Sequence, residues 1–132
     1  MKYMLDTNIC IFLLKHVPEV LSSFAAKKND GVAISSITLA ELEFGVCNSA
    51  AYERNKIALI NFLPNIEVLP FEETAAEEYG SICAALRKKG TPIGIMDMLI
   101  AAHAKAVKLT FVTNNIREFA RIEGLDIEDW RI

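Results

Sequence analysis

Two rhythms of apolar and polar residues alternate along the chain. Tyr3-Met4-Leu5 has the pattern of a short buried strand, and Val32-Ala33-Ile34-Ser35, residues 66–69 and residues 109–113 are expected to form three further strands. Between them the spacing turns helical. It predicts helices over residues 9–14, from Pro18 with Val20, Leu21 and Phe24 on one face, over 52–63 with Ile57, Ile60 and Leu63 on one side, and over 74–89. A further helix is predicted over 95–105, with Leu99, Ile100 and Ala102 inside. Asn29-Asp30-Gly31, Pro64-Asn65, Pro70 and Gly90 punctuate these segments. Thr38-Leu39-Ala40-Glu41 fits a capping box and predicts a helix opening there and running towards Gly45. Thr113-Asn114-Asn115 leads into a short helix through Phe119, and residues 125–132 are expected to add an edge strand.

Strands alternating with helices imply parallel pairing and right-handed crossovers, hence an α/β fold with a central parallel sheet of four to five strands covered by helices on both faces. One crossover is irregular. The helix over 74–89, followed by a short loop, would return the chain to the wrong edge of the sheet, so it is expected to run across the sheet and not down it. At 132 residues, 52% of them hydrophobic and 23% charged, residues 1–132 are expected to form one globular domain with one site.

Asp6 interrupts the first apolar stretch, which argues against a secretory start, and no uncharged run approaches the roughly 20 residues of a membrane span. Cys10, Cys47 and Cys83 are odd in number and widely spaced, which suits a reduced cytoplasm better than a disulfide framework or a zinc site. A net charge of −3 argues against a protein that coats nucleic acid nonspecifically, but leaves nucleic acid open as a substrate.

Ligands of open parallel sheets collect at the carboxyl ends of the strands. There the chain places Asp6-Thr7-Asn8, then residues 36–41 ending in Glu41, then Asn114-Asn115, while Asp97 opens the helix that precedes the fourth strand. Carboxylates gathered at one edge repel one another unless a cation neutralises them, and oxygen donors without cysteine or clustered histidine suit Mg²⁺ or Mn²⁺. Each acid also has a structural reading. Asp6 can cap a helix, Glu41 is where a capping box wants a glutamate, and Asp97 suits a helix dipole. The last is the least adequate, because Asp97 stands alone in the apolar run 94–100 and needs a partner there.

These residues resemble the PIN-domain family, and within it the VapC toxins of VapBC toxin–antitoxin modules. The resemblance spans essentially the whole chain. It rests on Met4-Leu5-Asp6-Thr7-Asn8, on Ser35-Ser36-Ile37-Thr38-Leu39-Ala40-Glu41-Leu42, and on Pro92-Ile93-Gly94-Ile95-Met96-Asp97 with Ile100-Ala101-Ala102-His103-Ala104. Phe111-Val112-Thr113-Asn114-Asn115 and Arg117-Glu118-Phe119 complete it. The resemblance implies a PIN-like fold and a Mg²⁺-dependent endoribonuclease acting on RNA, often tRNA. It implies metal binding by Asp6 and Asp97, a site role for Glu41 and a supporting one for Asn115. Many PIN domains carry an aspartate at the last position, so one Mg²⁺ is expected here, with Glu118 one helical turn away as a substitute. A homodimer, a cognate VapB-type antitoxin that blocks the site, and operator DNA reached only through the antitoxin complex are implied as well.

Two other classes compete. A phosphatase on a similar sheet would want an aspartate where Asn8 stands, and a receiver domain a lysine where Asn115 stands; a partner-binding module would use the acids only as caps. His103 lies six positions from Asp97, off its helical face, and reads as a packed residue. Thr7 and Asn8 are placed to orient Asp6, and Ser36 or Thr38 to orient Glu41. Arg87-Lys88-Lys89 suits a helix C-terminus, and with Lys105, Lys108, Arg117 and Arg121 equally suits guiding RNA.

Overall fold

The computed structural model describes residues 1–131. Five strands, β1 (Tyr3–Leu5), β2 (Val32–Ser35), β3 (Glu67–Leu69), β4 (Thr110–Val112) and β5 (Ile127–Glu128), form one sheet in the order β3-β2-β1-β4-β5. Every pairing is parallel. The expected edge strand over 125–132 is therefore present only at Ile127–Glu128, and Ile132 lies outside the described residues.

Period-two alternation divides the strand residues between two cores. Tyr3, Leu5, Val32, Ile34 and Val112 point to one face, where they meet α1 (Thr7–Leu14), α2 (Pro18–Lys27), α3 (Ser36–Cys47) and α4 (Tyr52–Phe62). Met4, Ala33 and Phe111 point to the other, beneath α5 (Glu73–Lys89), α6 (Ile95–Ala106) and α7 (Ile116–Phe119). The sheet is covered on both faces, as strands apolar on both sides require.

The irregular crossover is carried by a helix pair: α5 packs chiefly on α6, and α6 lies against β2 and β4. Lys105 late in α6 meets Glu78 early in α5 at 3.4 Å, so the two helices run antiparallel. Gly90 ends α5 in a left-handed conformation, φ 69°, and residues 91–94 lead into α6 at the carboxyl edge of the sheet. Asp97 is thereby brought back beside β1.

Two helix expectations are corrected. α3 begins at Ser36 with Ser35 as its N-cap, whose Oγ accepts from the Ile37 amide at 3.1 Å. Thr38 is thus no cap but a fully buried residue of the first turn, and Glu41 is not a capping-box glutamate. The cause is that β2 ends at Ser35 and the chain passes into the helix without a loop. On α4, Ile57 and Ile60 are more than half exposed and Leu59 is buried, because Ala58, Leu59 and Phe62 form the competing inward stripe.

Candidate active site

The switch point of the sheet lies at β1, between β2 and β4. Asp6 follows β1 immediately and is buried, 6% exposed. Its Oδ1 accepts from the Ile9 amide at 2.9 Å, which caps α1, and its Oδ2 accepts from Thr113 Oγ1 at 2.6 Å. Capping and site are therefore not alternatives for Asp6, since each oxygen serves one of them.

Across a cleft of about 540 Å³, lined by Asp6, Thr7, Asn8, Glu41, Phe44 and Asp97 among others, three carboxylates from three chain segments converge. Glu41 Oε1 accepts from Thr7 Oγ1 at 2.6 Å, and Thr38 Oγ1 stands 3.5 Å from the same hydroxyl. Thr7 thus orients Glu41 and not Asp6. Asp97 is the third residue of α6; Gly94 is the N-cap, and among the described residues the Asp97 side chain makes no hydrogen bond that would explain it structurally.

The electrostatics show what the cleft lacks. Burial pushes the Asp6 carboxyl up to about 6, against the Thr113 and Ile9 hydrogen bonds that pull it down, and the charge of Asp97 adds to the rise. Asp97 is raised by burial first and then by Glu118 and Glu41. Each acid is destabilised as an anion by its neighbours, the condition a divalent cation relieves. The donors facing the cleft are hard oxygens; Cys10 is buried behind Asp6 and its thiol is raised well above the usual range. The donor set therefore fits Mg²⁺ or Mn²⁺. Among the described residues, no three acidic, histidine or cysteine side chains already stand at a common ligating distance.

Asn115 and Glu118 do not line the cleft. Asn115 Nδ2 donates to Glu118 Oε2 at 2.5 Å, and the Asn115 amide donates to Thr113 Oγ1 at 3.1 Å, so this pair backs the site from the α7 side while the Glu118 charge reaches Asp97. His103 is buried with Nδ1 2.7 Å from Ser35 Oγ and its ring edge-on to Phe71, away from the acids, in keeping with a packed role. Sequence reasoning gave Thr113 no role. The available signal was a threonine ending the strand that pairs with the strand bearing Asp6.

A parallel sheet carrying carboxylates over its switch point is the architecture of a phosphate-acting α/β enzyme. The comparisons with known proteins narrow this class. The chain belongs to the PIN domain family, which it matches over residues 3–125. It is 47% identical over 130 residues, 98% of each chain, to the tRNA(fMet)-specific endonuclease VapC of Salmonella typhimurium, and 45% identical over 132 residues to ribonuclease VapC2 of Rickettsia felis, again with 98% of each covered. The solved structure of VapBC2 from Rickettsia felis bound to a promoter DNA fragment superimposes with a TM-score of 0.94 at 42% identity, covering 98% of this chain and 99% of the other.

Proposed function

We propose that the chain is the toxin of a type II toxin–antitoxin pair, an endoribonuclease hydrolysing RNA phosphodiester bonds with a divalent cation, Mg²⁺ ahead of Mn²⁺, held by Asp6 and Asp97. The observation that carries this reading is the convergence of Asp6, Glu41 and Asp97 on one cleft, with Asp6 and Asp97 both raised. When bound, such a cation supplies a water of lowered pKa and neutralises charge on the phosphodiester. The chain's own groups do the rest. Asp6, locked by Thr113 and Ile9, and Asp97 provide the charge that seats the cation. Glu41, fixed by Thr7 through one oxygen, keeps the other free to orient the attacking water and take its proton as the P–O bond to the leaving ribose breaks. Asn115 supports the cluster by holding Glu118.

The name of the Salmonella relative supports tRNA as the substrate, and hence a cytoplasmic place of action. The Rickettsia complex supports a VapB-type antitoxin and operator DNA contacted through that complex. A groove of about 270 Å³ between α1, α3 and α4 shares Ile11 and Glu41 with the cleft, so an antitoxin segment lying in it would reach the acids. Exposed Phe44, Ile57 and Ile60 support a homodimer formed through apolar helix faces. The test of the reading is paired. RNA cleavage with and without EDTA, and melting with and without Mg²⁺, are measured for the parent and for Asp97→Asn. The variant is expected to fold, lose cleavage and lose Mg²⁺ stabilisation; retained, EDTA-resistant cleavage overturns the mechanism.

A further inference from the structure

The cleft is lined by carboxylates, and among its lining residues there is no lysine or arginine. A polyanionic strand brought there meets negative charge on either side of the cation, so the positive field that holds its flanking phosphates must lie elsewhere. The chain has 14 lysines and arginines against 17 acids, which makes any local excess of cations a matter of placement.

One such excess is built into the fold. A small groove of about 90 Å³ between α5 and the turn after α7 has Ile82, Leu86 and Ile122 in its floor and Lys89, Lys105 and Arg121 around it. The three cations come from three different elements. The apolar floor carries their aliphatic stems and leaves the charged heads towards solvent. Lys105 is held by Glu78 at 3.4 Å and by the turn at Gly124, where φ is 78° and a Cβ would come within 3.3 Å of Lys105 Cε. Lys89 and Arg121 make no ion pair among the described residues. Glu123 is the acid lining the groove.

The chain links the groove to the acids at two points. Lys89 ends α5, and residues 90–94 join it to α6, whose third residue is Asp97. Arg121 lies three positions after Glu118, whose charge reaches Asp97. We infer that Lys89 and Arg121, backed by Lys105, form a subsite for a backbone phosphate of the RNA flanking the one that is cut. This rests on the ribonuclease reading and adds to it the path of the strand, from the cleft past the start of α6 and over the groove. An acidic peptide has the charge to lie there too, but the continuity with the cleft favours the strand that must pass through it.

The test measures binding apart from cleavage. Fluorescein-labelled unfractionated tRNA is titrated by anisotropy against full-length protein carrying Asp97→Asn, across a series of salt concentrations. Adding Lys89→Gln and Arg121→Gln is expected to raise Kd about tenfold near ~150 mM salt and to lower the slope of log K against log salt by roughly 0.7 to 0.9, the loss of one neutralised phosphate. Lys28→Gln with Arg54→Gln removes the same charge from the elements on the other face of the sheet and is expected to leave both quantities unchanged; circular dichroism confirms that each variant folds. Equal weakening by both pairs, or no change with the first, overturns the subsite. So does RNA binding that is unaffected while affinity for polyglutamate is lost. Failure of the ribonuclease reading shows separately, as tRNA left intact by the parent in the presence of Mg²⁺.

Discussion

Asp6 and Thr113 show how one hydroxyl sets the state of an active-site acid. Thr113 Oγ1 donates to Asp6 Oδ2 at 2.6 Å and itself accepts from the Asn115 amide, so the side chain both lowers the Asp6 pKa and fixes the loop behind Glu118. Thr113→Val keeps the volume and removes both bonds. It is expected to cost about 1–3 kcal/mol, read by urea denaturation, and to cut RNA cleavage by roughly 10- to 100-fold. Unaltered cleavage would show that Asp6 needs no such anchor. A second expectation concerns pH. Asp6 titrates at about 6 in the folded protein and at 3.8 when unhindered, so between those values the folded form holds a proton the unfolded chain has released. The stability of the cation-free protein from this group is full below pH ~4 and falls as pH rises, by roughly 3 kcal/mol in all. His103, lowered by burial, works in the opposite sense, losing stability as the medium turns acidic. The Asp6 contribution is therefore read as the difference in melting between parent and Asp6→Asn, which should grow from about pH 5 to about pH 7.5 in EDTA. A difference that shrinks over that range contradicts the assignment.

At the level of elements, the start of α3 decides where Glu41 points. Ser35 Oγ accepts from the Ile37 amide and meets buried His103, tying the end of β2, the first turn of α3 and the middle of α6 together. Ser35→Ala removes the cap and orphans the imidazole, and should destabilise by about 1–3 kcal/mol while lowering cleavage through a displaced Glu41. A loss of stability with full cleavage would separate the cap from the site. This junction also marks the limit of what the sequence discloses. The apolar runs of β1, β2 and β4 and the helical spacing over 74–89 and 95–105 were legible because burial of the central strands on both sheet faces leaves no other pattern. The cap was not, because Ser35 and Thr38 both present cap chemistry, and only the absence of a loop after β2 selects the first. The stripe of α4 failed for a related reason, since Ile57 with Ile60 and Ala58 with Leu59 and Phe62 are two apolar faces of one helix. The acids were legible as a group at the carboxyl edge. Which threonine aims which acid was not, since Thr7 reads as the partner of Asp6 and Thr113 as the partner of nothing, and a hydroxyl chooses its partner through packing between segments distant in the chain.

For the molecule as a whole, the core under α1 to α4 is closed by residues from opposite ends of the sequence. Trp130 is fully buried, edge-on to Tyr3 with ring centroids 5.3 Å apart, and its Nε1 donates to Glu128 at 3.1 Å. Lys27 pairs with Glu128 and lies 5.7 Å from the Trp130 ring, so α2 and the edge strand are joined through one side chain. Trp130→Ala is expected to cost about 3–5 kcal/mol in equilibrium unfolding. A cost under about 1 kcal/mol would mean that the first core does not need its closing residue.

The bond between Thr113 and Asp6 spans 107 positions of sequence, and the Asp6 amide donates to the Val112 carbonyl at 2.9 Å as β4 lies down beside β1. Asp6 precedes Thr113 by most of the sheet, so a chain extended only through Asp97 holds Asp6, Glu41 and Asp97 without a seat for the first of them. Contacts so distant form late. A chain without a docked β4 therefore lacks the bond that seats Asp6, and it is expected to cut RNA no faster than Thr113→Val until that strand pairs with β1.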